Sequence, residues 1–108
     1  MKRGDIVLVR EPGTPASKAR PCIVMQRGSS LGDTSKITVC PLTTHLRGAL
    51  GGRPLVSPSA ENGLTKHCEV EFDWIYTHSL ERIGQSIGSL ETDILDEVDE
   101  ALRRWLDL

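Results

Sequence analysis

The sequence predicts a mainly β fold with a C-terminal helix, an α+β domain built around a small, strongly curved antiparallel barrel. Two observations support this prediction. Many short segments of β-branched or alternating residues are separated by Gly- and Pro-rich loops, and one amphipathic stripe occupies the end of the chain. The chain has 108 residues, the size of one domain, so we expect residues 1–108 to form a single domain.

The first half of the chain is expected to hold three strands. Residues 6–9 form a β-branched and aliphatic run. Residues 11–18, with two prolines and a glycine, predict a loop. The second strand starts near Pro21, because the first position of a strand need not donate to the ladder. The third covers residues 37–42, after a Gly- and Ser-rich connection with one short helical turn.

The second half mixes loops with shorter strands. Gly-rich residues 46–52 predict a mobile loop, and residues 53–56 predict an edge strand. Residues 68–72 alternate apolar and polar side chains, as a half-buried strand does. Two further short strands are expected at residues 74–77 and 85–87.

The last predicted element is an amphipathic helix. Its apolar residues recur at helical spacing from Ile94 to Leu106 and form one stripe that is expected to pack on the sheet. Acidic residues crowd its first half and two arginines its last turns, which suits the helix dipole. Ser89 or Thr92 is expected to cap it.

Charge is distributed unevenly along the chain. Residues 1–54 hold nine Lys/Arg against three Asp/Glu, a net charge of +6, whereas residues 55–108 hold four against twelve, a net charge of −8. A basic half is what a polyanion such as a nucleic acid requires of its partner. Dispersed, solvated charges on unrelated faces give the same count, so charge alone leaves both interpretations open.

Cysteine usage and hydropathy indicate a cytoplasmic protein. The three cysteines are an odd number without CxxC spacing, which argues against a disulfide framework and favours buried, unreactive thiols. The N-terminus lacks the apolar region of a signal peptide, and no stretch approaches the ~20 apolar residues of a membrane helix.

Two strand-like segments each carry one chemically capable residue. Arg20 precedes the second strand, and Thr43, followed by Thr44, ends the third. If these strands pair antiparallel, the guanidinium and the hydroxyl fall near the same end of the sheet, which suits binding and cleaving a phosphodiester. Taken without further context, a solvated edge arginine and ordinary β-strand threonines explain the same pattern.

Five short motifs and the closing helix follow one another along nearly the whole chain: residues 3–7 (RGDIV), 20–21 (RP), 40–44 (CPLTT), 63–64 (GL) and 81–90 (ERIGQSIGSL). In this order they resemble the MazF/PemK toxin family, the endoribonuclease half of bacterial toxin–antitoxin pairs. The resemblance implies an SH3-like small antiparallel barrel of the MazF/CcdB type that pairs with its twin as a homodimer.

The resemblance also implies a reaction. Arg20 and Thr43 match the family's principal catalytic residues, and the products would be a 2′,3′-cyclic phosphate and a 5′-hydroxyl, formed from single-stranded RNA without a metal or another cofactor. A cognate antitoxin would lay an extended acidic or apolar tail over the basic groove and the dimer seam.

The chain departs from the family pattern around the site. Pro15 stands where many relatives carry a Glu or Gln with an acid–base role, so that role lies elsewhere or is not essential. Asp73 matches an acidic residue that some relatives use, Trp74 replaces the usual amide beside it, and Glu71 stands where some relatives place an arginine. An RNA sequence preference particular to this chain follows.

Further RNA contacts are expected around the pair. His45 can serve as a proton carrier, because histidine changes charge near neutral pH, or as a base contact. Trp74 and Tyr76 can stack on bases, although core packing is the commoner fate of such residues. The loop cation Arg53 is a further candidate, and His67 beside a cysteine is a weak metal-site signal against a plain surface histidine. The expected RNA-binding residues are Lys18, Thr44, His45, Arg47, Asp73 and Trp74.

Two other functions stay open. A CcdB-like gyrase poison shares the fold type and ends in Trp and apolar residues, as this chain does from Trp105 to Leu108, but it lacks the Arg-Pro and Pro-Leu-Thr-Thr motifs. An SH3-like binding module would use Arg20 and Thr43 only structurally.

Overall fold

The structure is a computed structural model that describes residues 1–10, 13, 18–48 and 52–108. Within these residues, seven strands form one curled antiparallel sheet, and a C-terminal helix packs on one of its faces. Single turns of 3-10 helix lie at Gly28–Ser30, Phe72–Trp74 and Leu80–Arg82. The regular elements are β1 (Asp5–Val9), β2 (Arg20–Val24), β3 (Lys36–Thr43), β4 (Leu55–Val56), β5 (Cys68–Val70), β6 (Tyr76–Ser79), β7 (Ile83–Ser89) and α1 (Thr92–Leu106).

Strand β3 is the centre of the sheet. The strand order is β4-β5-β3-β2-β1-β7, and β6 pairs with β3 as well. Along β3, residues 36–39 face β6, whereas Leu42 and Thr43 face β5. Strand β3 therefore changes its pairing partner along its length, and this change gives the sheet its half-barrel curl.

The two faces of the sheet bury separate apolar clusters. Alternation along each strand sends successive side chains to opposite faces. One face packs against α1 through Val98, Ala101 and Leu102. The other face holds a smaller aliphatic cluster formed by Val7, Val9, Cys22, Val24, Ile37 and Val39, with Leu31 and Ile83 at its margin.

The predicted fold class is confirmed: the protein is mainly β with a C-terminal helix, and the first three strands and the helix lie where the sequence predicts them. The edge strand predicted at residues 53–56 is present as Leu55–Val56. The three cysteines are buried, as expected. Most of the loop predicted at residues 11–18 and the middle of the loop at 46–52 lie outside the described residues.

The prediction for residues 68–72 is wrong in its burial and its extent. Strand β5 ends at Val70, and all three of its residues are buried, including Glu69. Alternation predicts Glu69 at the surface, but its carboxylate is buried by polar contacts with a distant loop. Phe72 lies in a 3-10 turn rather than in a strand, and β6 begins only at Tyr76.

Two details of the helix also differ from the prediction. Neither Ser89 nor Thr92 caps α1; the N-cap is Glu91, which makes no side-chain capping hydrogen bond. Its carboxylate instead accepts hydrogen bonds from Ser59 and Asn62. The apolar stripe is not buried to its end, because Trp105 is 49% exposed and Leu106 46% exposed. No described helix has the length and hydropathy needed to cross a membrane.

Gly63 fixes the loop between β4 and β5 against β7. Its φ of +70° lies in the left-handed region, and a Cβ at this position would lie 2.0 Å from the carbonyl oxygen of Ile87. Neither the backbone conformation nor the contact tolerates a side chain.

We expect Gly63→Ala to lower the free energy of unfolding by about 2–4 kcal/mol, because it combines a left-handed backbone with a backbone clash. Urea unfolding measures the loss. Gly28→Ala is the matched control, since Gly28 has open space around its Cβ position and no positive φ. Equal stability of the two variants would contradict this account of the loop.

Candidate active site

The register of β2 and β3 brings Arg20 and Thr43 together. The two strands pair antiparallel with Cys22 opposite Pro41 and Val24 opposite Val39. Continued by two residues, the same register sets Arg20 level with Thr43. The two residues are far apart in sequence, yet both line one open groove, as the sequence argument requires.

The groove has a volume of 460 Å³ and lies at the end of β2 and β3. Polar and charged side chains dominate its lining, so it suits a charged ligand better than an apolar one. Its lining residues are Ala19, Arg20, Pro21, Leu42, Thr43, Thr44, His45, Arg47 and Glu71.

The Arg20 guanidinium is held by an acid inside the groove. Its Nη2 donates to Oε1 of Glu71 at 2.5 Å and to the carbonyl oxygen of Leu42 at 3.5 Å. Glu71 is positioned because its backbone N–H donates to the carbonyl oxygen of Pro41 on β3. The side chain of Arg20 remains 39% exposed and that of Glu71 15% exposed. The cation is therefore ordered and still open to a ligand.

Sequence reasoning missed this contact. It noted Glu71 only as a departure from the family pattern, because the pair spans 51 positions and depends on how β5 is placed beside β3. The usable signal is a glutamate directly after a strand that ends level with Leu42, next to Thr43.

Thr43 ends β3 and starts a turn. Its Oγ1 accepts a hydrogen bond from the backbone N–H of His45 at 3.1 Å, which orients the hydroxyl beside the groove. Thr44, His45 and Arg47 follow on the exposed rim, and Lys18 is exposed just before β2. The sequence-predicted residues Lys18, Thr44, His45 and Arg47 thus cluster at one end of the sheet.

The buried residue Glu69 holds the segment that follows β3 in place. Its carboxylate, 2% exposed, accepts hydrogen bonds from the backbone N–H groups of Arg47 at 3.1 Å and Gly48 at 2.8 Å. Burial by itself would raise the pKa of Glu69. The amides of Gly48 and Arg47 and the positive charge of Arg53 outweigh it and hold the pKa below its usual value.

Arg53 belongs to this buried network rather than to a mobile loop, so its expected role as a loop cation near RNA is wrong. The side chain is 5% exposed, and it donates two hydrogen bonds to Asp73, at 3.0 and 3.2 Å. It also lies 3.8 Å from Glu69. The carboxylate of Asp73 is consequently occupied by Arg53, and a contact of Asp73 with RNA stays a prediction.

An aromatic cleft of 260 Å³ adjoins the groove and shares Arg20 with it. Its other lining residues are Pro41, Trp74, Tyr76 and His78. Trp74 is 62% exposed and Tyr76 54% exposed, so the interpretation that packs these two rings into the core is wrong. The rings of Tyr76 and His78 lie 4.5 Å apart and form one wall of the cleft.

The basic character of the first half is partly neutralised. Arg3 pairs with Asp99 of α1, Arg20 with Glu71, and Arg53 with Asp73. His67 is an exposed residue, and no group of three potential ligands within the described ranges could hold a metal ion. Among the described residues that line the groove, the cations are the half-exposed Arg20 and, on the rim, Arg47.

Both the sequence and the fold of the chain match known proteins. The sequence matches, over residues 2–106, the family described as "PemK-like, MazF-like toxin of type II toxin-antitoxin system". A curated relative, Endoribonuclease MazF9 of Mycobacterium tuberculosis, is 29% identical over an alignment of 116 residues that covers 100% of this chain and 98% of that protein.

Solved structures share the whole fold. The Mycobacterium tuberculosis toxin MazF-mt6 superposes with a TM-score of 0.81 at 28% identity, over 96% of this chain and 97% of that chain. A mycobacterial endoribonuclease in complex with its cognate antitoxin gives a TM-score of 0.79 at 20% identity, over 100% and 96% of the two chains. A MazE-MazF structure from Deinococcus radiodurans gives 0.76 at 22% identity, with the same coverage. The last two comparisons establish the fold alone.

We expect Glu69→Gln to lower the free energy of unfolding at pH 7 by roughly 1–3 kcal/mol. The amide of glutamine has one oxygen, so it cannot accept hydrogen bonds from both backbone N–H groups, and it carries no charge to pair with Arg53. The pKa of Glu69 is lower in the folded than in the unfolded protein. The stability that its charge supplies is therefore present above the usual carboxyl range, and it is lost as the pH falls through the folded pKa.

Urea unfolding of both proteins between pH 7 and pH 3 measures this effect. The difference between wild type and Glu69→Gln should be full at pH 7 and shrink below about pH 4. Glu97→Gln, at an exposed position of α1, is the control. A difference that stays constant with pH would show that the charge of Glu69 does not hold the loop.

Proposed function

The chain belongs to the PemK-like, MazF-like family of type II toxin–antitoxin toxins, and we propose that it is an endoribonuclease that cleaves single-stranded RNA at a short specific sequence. The reaction is attack of a 2′-hydroxyl on the adjacent phosphate, without a metal, and it leaves a 2′,3′-cyclic phosphate and a 5′-hydroxyl. The observation that carries this proposal is that an exposed guanidinium and a hydroxyl meet in one polar groove.

Arg20 and Thr43 are the catalytic residues of this proposal. A planar guanidinium binds phosphate oxygens bidentately and keeps its charge, so Arg20 stabilises the negative charge that grows on the phosphorane. Thr43 donates a hydrogen bond to the same phosphate, since its oxygen already accepts the backbone N–H of His45. Both contacts require no rearrangement of the backbone.

The RNA strand would run across the groove into the aromatic cleft. Arg47 on the rim and Lys18, exposed just before β2, would contact flanking phosphates, and Thr44 and His45, which line the groove, would contact a base. Trp74 offers a stacking surface next to Arg20. Stacking on an aromatic side chain tolerates any base, so sequence specificity comes from the polar rim.

Partners follow from the family. We infer that a cognate antitoxin covers the groove, that two copies of the chain form a homodimer, and that the protein acts in the cytoplasm. Two solved structures of the same fold contain antitoxin or MazE. The exposed apolar residues Trp105 and Leu106 at the end of α1 offer surface for such contacts.

Arg20→Ala should reduce RNA cleavage by about 10²–10³-fold, because it removes the charge that stabilises the transition state. Thr43→Val should also reduce cleavage. Arg27→Ala and Thr34→Val are matched controls. Arg27 is exposed away from the groove, and Thr34 accepts a backbone N–H two residues later, as Thr43 does. Sequencing of the cut ends gives the rates and the cleavage site.

The same variants separate the alternatives. A gyrase poison would stay toxic with Arg20→Ala and lose toxicity when the last residues are deleted. If the protein is a binding module, even the wild type would neither cut RNA nor arrest growth. The endoribonuclease is supported if the wild type cleaves RNA and both groove variants lose this cleavage while remaining folded.

Trp74→Ala should raise the KM for RNA roughly 5- to 150-fold, the equivalent of ~1–3 kcal/mol of stacking, with little change in kcat. Trp105→Ala is the matched control, because Trp105 lies at the end of α1 against Phe72 and outside both cavities. A change in kcat alone would argue against a stacking role for Trp74.

A further inference from the structure

Glu71 is the one carboxylate among the described residues that line the groove. It contacts the catalytic guanidinium directly and is largely shielded from solvent. The neighbouring acids are committed elsewhere: Glu69 binds the amides of Arg47 and Gly48, and Asp73 binds Arg53.

The proposed reaction needs a group that takes the proton from the 2′-hydroxyl. Arg20 is a permanent cation, and a threonine hydroxyl is a poor base, so neither can accept it. Pro15, at the position where many family members carry a Glu or Gln, has no side-chain base to offer. His45, the other groove residue that could carry a proton, lies on the exposed rim, whereas the carboxylate of Glu71 contacts the guanidinium that would hold the phosphate and therefore meets the requirement.

We propose that Glu71 is the general base of the reaction, an inference that rests on the endoribonuclease function proposed above. The scissile phosphate replaces Glu71 as the partner of the Arg20 guanidinium, and this exchange leaves the carboxylate free beside the phosphate. Glu71 then takes the proton of the 2′-hydroxyl while O2′ bonds to phosphorus. The bond from phosphorus to O5′ breaks, and water entering the open groove protonates O5′. The protonated Glu71 returns its proton to solvent.

The Arg20–Glu71 pair has two other possible roles that make different predictions. Glu71 could only orient Arg20, in which case a neutral acceptor of the same shape would serve as well. It could compete with the phosphate, in which case its removal would speed cleavage. A general base predicts a slower reaction and a changed pH profile.

Single-turnover cleavage of an RNA oligonucleotide, carrying the site mapped for the wild type, tests the inference between pH 4 and pH 9. Wild-type rates should rise with pH and then level off, because a general base acts only in its deprotonated form. Glu71→Gln should cleave about 10²–10⁴-fold more slowly, lose that rise and bind RNA within a few-fold of wild type. Glu97→Gln should match the wild type. The other charged or titratable groups lining the groove, Arg20, His45 and Arg47, stay in place in every variant.

Two further measurements separate the base from other roles. Formate added to Glu71→Ala should restore part of the activity, since a small carboxylate can occupy the vacated space and accept the proton. A substrate with sulfur in place of O5′ has a leaving group that needs no proton. The defect of Glu71→Gln should persist on this substrate.

Three results would overturn the inference. They are a Glu71→Gln enzyme that is as fast as the wild type or faster, a retained rise with pH in that variant, or full rescue by the sulfur leaving group. If Glu71→Gln does not fold, as judged by urea unfolding, Glu71→Asp should remain active with the pH rise intact. If the wild type cuts no RNA, the proposed function itself fails. If it cuts RNA and Glu71→Gln cuts it equally well, only the role of Glu71 fails.

Discussion

The change of partner along β3 is the constraint on which the rest of the structure depends. One edge of this strand pairs first with β6 and then with β5, while the other edge pairs with β2. The 3-10 turn Phe72–Trp74 carries the chain across the change. Because β2 begins where β3 and β5 end, Arg20, Thr43 and Glu71 meet there although they lie far apart in the sequence. The groove is a consequence of the bend in the sheet.

Beneath the bend lies a network of buried charges. Glu69, Arg53 and Asp73 satisfy one another and the amides of the segment after β3, and no buried side-chain polar atom in the part of the chain that the structure describes lacks a hydrogen-bond partner. Compared with well-packed apolar residues, such a network adds little net stability, because desolvation offsets most of the attraction between the charges; removing a single member is still costly, because its partners stay buried and unpaired. Its effect is geometric: it fixes the backbone from which His45 and Arg47 reach the rim, and a fixed rim is what specific recognition requires.

Local patterns predict much of this molecule and miss its long-range contacts. β-branched runs predict β1 and β3, helical spacing predicts α1, and the antiparallel pairing of β2 with β3 predicts that Arg20 and Thr43 meet. The burial of Glu69 cannot be read from alternation, since it depends on amides 21 and 22 positions away. The burial of Arg53 and the contact of Glu71 with Arg20 could not be predicted from the sequence for the same reason. When the position of a side chain depends on a partner far away in the sequence, the neighbouring residues do not predict it.

The three cysteines lie in strands of this sheet, Cys40 and Cys68 on the face that packs against α1 and Cys22 on the other face, and their burial has a chemical consequence. Desolvation, with the neighbouring Cys22, raises the pKa of Cys40 to about 12, and burial also raises the pKa of Cys68. Peroxides and alkylating reagents attack the thiolate rather than the thiol. At neutral pH Cys40 and Cys68 are therefore protonated, buried thiols, the form that reacts slowly with such reagents.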